Sequence, residues 1–126
     1  MITPVVRGIY IADVKDDTDI GRHRATKHCV CVSVGCGLYL LINTEHREKY
    51  DDFLLKASEY DFLNGVDRFL ACHDPKVIKD EKLIRRVGTL SDVDAKTMYV
   101  KIRASTNIAP VEIKKVLAEL WASFRT

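Results

Sequence analysis

An α+β chain, strand-rich over residues 1–88 and helical over 89–126, is predicted by three features of the sequence. His28 to Asn43 is an apolar stretch broken by Gly35 and Gly37, which reads as a β-hairpin. Short runs of β-branched and aromatic residues stand on either side of it. Near the end, Ile113, Val116, Leu117, Leu120, Trp121 and Phe124 recur at helical spacing.

Ile9, Tyr10, Ile11 and Val14 form the first strand, entered through Gly8 and stopped by the polar run Lys15-Asp16-Asp17-Thr18-Asp19. From Lys15 to Lys27 there are almost no large apolar residues, so this stretch reads as a long exposed loop. His28 to Val34 and Leu38 to Asn43 are the hairpin strands, with Gly35-Cys36-Gly37 supplying the positive φ angles of the turn. Thr44 to Asp52 is charged and reads as a loop, followed by short strands at Phe53 to Lys56 and Arg68 to Cys72, with a turn at Tyr60 to Leu63. Lys82 to Val87 satisfies neither period and stands as a strand or a helical turn. Ser91 and Asp94 form a capping pair for a helix through Ala95, Met98 and Ile102, ending near Ser105. Pro110 suits the first turn of the last helix, whose apolar stripe is expected to lie over the sheet.

With 126 residues, 47% hydrophobic and 30% charged, the chain can bury one core without disulfides or metal, so a single domain over 1–126 is expected. The longest apolar run, Gly35 to Ile42, is too short to cross a bilayer, and the first residues lack the layout of a signal peptide. A cytoplasmic protein with no membrane association is the expectation. There the four cysteines stay reduced. Cys29 and Cys31 lie one residue apart on a strand and face the same way, which is not the C-x2-C spacing of a zinc site. They are expected to pack as small hydrophobes, with no metal or other cofactor. A zinc protein using Cys29, Cys31, Cys36 or Cys72 with a histidine is the weaker alternative. A net charge of +2 does not mark a nucleic-acid binder, so any such role rests on a local patch.

Nucleotide-binding, zinc-protease and serine-hydrolase signatures are absent from the sequence. One polar cluster is Arg22, His23, Arg24, Lys27 and His28, where guanidinium groups can grip phosphate and imidazoles can exchange protons near neutral pH. Thr44, His46 and Arg47 form a second, at the end of the hairpin. With the turn at Cys36-Gly37, antiparallel pairing brings the start of the first hairpin strand and the end of the second to one sheet edge, where Lys27, His28 and Thr44 converge. The competing reading of both clusters is a solvated charged loop. Cys72-His73-Asp74 is a third polar group, read as no more than a pocket wall.

Gly8 to Asp13, Lys27 to Ser33, Leu41 to Thr44 and Leu83 to Ser91, in that order along the chain, resemble segments of the MazF/PemK toxin superfamily of small ribonucleases. Gly8-Ile9-Tyr10-Ile11-Ala12-Asp13 is similar to its opening strand, and Lys27-His28-Cys29-Val30-Cys31-Val32-Ser33 to its R-P-x-x-V-x-S strand. Leu41-Ile42-Asn43-Thr44 resembles the strand end that carries the family's Thr or Ser, and Leu83 to Ser91 is similar to its R-L-x-R-x-G-x-L-S stretch. The resemblance implies a small SH3-like twisted β-barrel with C-terminal helices packed against it. It also implies a homodimer, single-stranded RNA as substrate and an antitoxin protein as partner.

In that family RNA is cut without metal by attack of the ribose 2′-hydroxyl on its own phosphate. The site needs a base, a cation for the phosphorane charge and an acid for the leaving oxygen. Lys27 takes the place of the family's Arg and Thr44 that of its Thr or Ser; Arg24 and His28 join them as catalytic candidates by spacing and chemistry. Arg22, His23, His46 and Arg47 are the RNA-binding candidates. Lysine does not reproduce a planar bidentate guanidinium, so the alternative is a non-catalytic module that binds RNA or a peptide on the same fold.

Overall fold

The computed structural model describes residues 1–15 and 26–124; Arg22, His23 and Arg24 lie outside them. Seven strands and two helices are described: β1 (Gly8–Asp13), β2 (Thr26–Ser33), β3 (Leu38–Asn43), β4 (Phe53–Leu55), β5 (Arg68–Leu70), β6 (Lys76–Val77), β7 (Leu83–Thr89), α1 (Asp92–Arg103) and α2 (Pro110–Ser123). The fold is α+β. Neighbouring strands run antiparallel in the order β4-β5-β3-β2-β1-β7, with β6 beside β3. No pairing among the described residues joins β4 to β7, so the sheet is open. None of the described helices is long and apolar enough to cross a membrane.

β1, β2 and β3 are buried on both faces, which explains why they read as continuous apolar runs and not as alternation. Ile9, Val30, Val32 and Leu40 face the helices and pack with Met98, Ile102, Val116 and Leu120. Tyr10, Cys29, Cys31 and Tyr39 face the other way, against Ile78 and Leu83. Gly8 is required where it stands: a Cβ there would lie 2.5 Å from the hydroxyl of the buried Tyr10, which accepts the Val5 N–H at 2.9 Å.

The hairpin turn needs one positive φ, at Gly37 (64°); Gly35 does not share it, contrary to expectation. Instead the turn is held from outside by Glu119 of α2. One carboxylate oxygen accepts the Val34 and Gly35 N–H groups at 2.8 and 3.0 Å, and the other accepts the Ser33 hydroxyl. β2 begins at Thr26, two residues earlier than predicted, because Thr26 and Lys27 pair with Asp13 and Ala12. The ambiguous segment before the helices is a strand, β7, with irregular pairing to β1. β6 was not predicted; its two residues become a strand only by pairing with Leu38 and Tyr39.

Ser91 caps α1, accepting the Asp94 N–H at 3.2 Å. Aspartate is too short to complete the reciprocal half of a capping box, and the Tyr60 hydroxyl bridges the gap. It accepts the Ser91 N–H at 3.0 Å and donates to the Asp94 carboxylate at 2.6 Å. Burial, then the bond to Asp94, pushes the Tyr60 phenol up to about 12, so it keeps its proton. α2 starts with Pro110 and buries Val116 and Leu120, but Trp121 is 58% exposed and lies at the margin of the predicted stripe.

Candidate functional site at the open end of the sheet

Pairing of β2 with β3 brings residue 29 opposite 41, so the start of β2 and the end of β3 meet far from the turn. There Thr26, Lys27, His28, Ile42, Thr44 and Arg68 line a cleft of about 80 Å³. Strand alternation divides the two basic residues of β2. Lys27 shares a face with Cys29, and its Nζ donates to Asn43 Oδ1 at 3.3 Å. His28 shares a face with Val30, just past the point where the helices cover the sheet.

His28 lies in a row across three strands, opposite Ile11, which in turn lies opposite Arg85. Its ring stacks on Phe62 with 5.3 Å between centroids. Partial burial, then the charges of Arg68 and Arg85, lower its pKa below the ordinary 6.5. A neutral imidazole beside two permanent cations is therefore held at the mouth of a polar cleft at neutral pH. Such a group is free to act as a proton acceptor at neutral pH, though a weaker base than free imidazole, while its neighbours attract an anion.

No protein-family model matches the chain, and no curated protein matches it in sequence.

Among the residues singled out from sequence, Lys27, His28 and Thr44 line the cleft. His46 and Arg47 are exposed in the loop beyond it, Arg47 within 3.3 Å of Glu45 and His46 paired with Asp52. Cys72-His73-Asp74 stands apart: Cys72 is buried, His73 stacks on Tyr50, and Asp74 pairs with Lys76. Arg68 and Arg85 were not foreseen as site residues. Arg68 arrives through the pairing of Leu70 with Ile42, which sets the residue two positions earlier level with Thr44. Neither carried a sequence signal of its own: in the stretch from Leu83 to Ser91 the arginine that matches R-x-G is Arg86, and Arg85 falls on an unspecified position.

Cys29, Cys31 and Cys72 are buried, and burial pushes each thiol up to about 12, so they remain protonated at neutral pH. Among the described residues no group of three or more Cys, His, Asp or Glu side chains is placed to hold a metal ion. A larger, open cleft of about 430 Å³ lies between Arg7 and α2. Its charges serve the fold: Arg7 bonds the Leu90 carbonyl at 2.7 Å and Asp92 at 2.6 Å, and Glu119 holds the hairpin turn.

Proposed function

We propose that this protein is a metal-independent endoribonuclease of the toxin type, cutting single-stranded RNA by attack of the 2′-hydroxyl on the adjoining phosphate. The observation that carries the reading is the neutral His28 set between Arg68 and Arg85 at a cleft shared with Lys27 and Thr44. His28 takes the 2′-hydroxyl proton. Arg68 and Lys27 offset the charge that builds on the phosphorane oxygens, and the Thr44 hydroxyl orients the phosphate. Arg85 extends the cationic surface along the strand row, and Arg22, His23 and Arg24 belong to the segment that enters β2.

The finer fold assignment, an SH3-like barrel of the MazF/PemK kind acting as a cytoplasmic homodimer restrained by an antitoxin, goes with this proposal. Its support is the strand arrangement: the final strand β7 lies beside β1, and β3 pairs with β6 through its first residues but with β5 through its last. A strand that exchanges partners along its length is one way for a sheet to turn a corner.

A second reading, an RNA- or peptide-binding module without catalysis, is favoured by one observation. The Lys27 ammonium donates to Asn43 on the face opposite His28, and an ammonium does not grip a phosphate bidentately as a guanidinium does. Incubating the purified protein with long single-stranded RNA in excess chelator separates the two. Cleavage that is lost in His28→Ala and Arg68→Ala supports the nuclease; salt-sensitive binding with intact RNA overturns it in favour of the module.

A further inference from the structure

An imidazole that moves protons is commonly oriented by a carboxylate or a backbone carbonyl on its second nitrogen. His28 has neither: among the described residues its ring makes no hydrogen bond and no ion pair. The charged side chains acting on it are Arg68 of β5 and Arg85 of β7, and both disfavour its protonation. Asp13, opposite Thr26 on β1, accepts the Lys15 N–H at 3.2 Å. What the imidazole does have is an aromatic neighbour, Phe62, whose ring plane is inclined to its own by only 29°.

Phe62 is itself well anchored. It stands in the middle of a single 3-10 turn, Asp61–Leu63, closed by positive φ at Asn64 (52°) and Gly65 (80°). On either side of it, Leu63 and the second residue before it in the cluster, Tyr60, are buried in the core. The Tyr60 hydroxyl is fastened to the start of α1 through Ser91 and Asp94, and its ring meets that of Phe62 with 5.9 Å between centroids. Phe62 also reaches the sheet at Gly88 of β7, where a Cβ would come within 3.8 Å of its Cδ1. A chain of contacts thus runs from α1 through Tyr60 and Phe62 to His28.

We propose, resting on the ribonuclease reading above, that Phe62 is the positioning residue of His28, its ring setting the plane in which the imidazole presents a nitrogen to the ribose 2′-hydroxyl. A stack constrains the plane of a ring without occupying either nitrogen, so both remain for the substrate. It also shields the imidazole from water, and burial is the largest cause of its lowered pKa. A phenylalanine that only filled the core would influence stability and neither of these properties.

Cleavage of an oligoribonucleotide spanning a bond that the wild type cuts, followed as kcat and KM against pH, tests this in Phe62→Leu and Phe62→Tyr. Leucine keeps an apolar side chain over Gly88 but has no planar face, whereas tyrosine keeps the face. Phe62→Leu is expected to lower kcat by about 10–10²-fold with KM near the wild-type value, because the phosphate still meets Arg68 and Arg85. The acid limb of its kcat/KM profile should move to higher pH, since an imidazole open to water is protonated more readily. Phe62→Tyr should restore both. In the wild type itself, bound to an analogue lacking the attacking 2′-hydroxyl, NOEs between the His28 and Phe62 rings are expected; this measurement stands even where Phe62→Leu fails to fold. Absence of those NOEs, wild-type kinetics in Phe62→Leu, a raised KM with unchanged kcat, or equal losses in both variants would each overturn the assignment and leave the nuclease reading standing. A wild type that cuts neither this substrate nor long RNA would overturn both.

Discussion

Within one strand, β2 passes from a wet rim to a dry core, and the two ends show what the fold does with similar side-chain positions. At its start Thr26, Lys27 and His28 are exposed or partly buried beside Arg68 and Thr44; from Cys29 to Ser33 every side chain is buried. Desolvation acts at both ends, with different chemical results. It keeps Cys29 and Cys31 protonated in an apolar surround, raising them to about 12. At His28 it acts together with two arginines and keeps an imidazole neutral while an anion-attracting field surrounds it. The helices cover only the dry end, so the packed core and the polar cleft occupy different halves of the same strand.

Substitutions at the two ends should therefore separate activity from stability. His28→Ala is expected to lower the rate of RNA cleavage by about 10²–10⁴-fold while the protein stays folded, measured as single-turnover cleavage beside a thermal melt. Leu120→Ala, at the dry end, should do the reverse. Deleting a fully buried leucine costs about 2–5 kcal/mol, read as a lower urea midpoint, and the folded fraction should cleave RNA at the wild-type rate. A Leu120→Ala protein that is stable but inactive would break the division.

Tyr60 lies at the joint between the two regions, and its effect should be intermediate. Tyr60→Phe keeps the packing of the ring but strands the Ser91 N–H and the Asp94 carboxylate. Leaving a partly buried group unpaired costs about 1–3 kcal/mol, so denaturant unfolding should show a loss in that range. Ser91→Ala in the Tyr60→Phe background should then cost less than it does alone, because the two groups serve the same helix end.

What could be read from the sequence follows the range of the interactions. The hairpin, the Ser91 cap and the buried part of the α2 stripe are signalled by residues close in the chain, through turn glycines, a Ser-to-Asp spacing and a helical period, and all appear in the structure. So does the meeting of Lys27 and Thr44 at one cleft, since a hairpin's register follows from its turn. Arg68 was not legible as a site residue, because its place depends on which strand β5 chooses. Asp52 likewise reads as one more acid in a charged loop until the fold shields it and sets it against His46. β7 was ambiguous since most of its residues are exposed and its pairing shifts twice, so neither period survives in the pattern.

The smallest effect expected is a pH dependence that belongs to His28 alone. Its folded pKa is lowered below 6.5, so the unfolded chain binds the proton more readily than the native protein. Stability contributed by the neutral ring is therefore fully present above about pH 6.5 and is lost as the pH falls through the folded value, after which the loss levels off. His28→Gln removes the titration and keeps a polar side chain against Phe62, Arg68 and Arg85. Subtracting its unfolding free energy from that of the wild type, from pH 8 down to pH 5, cancels the groups common to both. The difference should be constant above about pH 7 and fall on acidification, against the wild type. A difference that rises toward acid would mean that the imidazolium is favoured at the rim, and that His28 enters the RNA complex as a cation and not as a base.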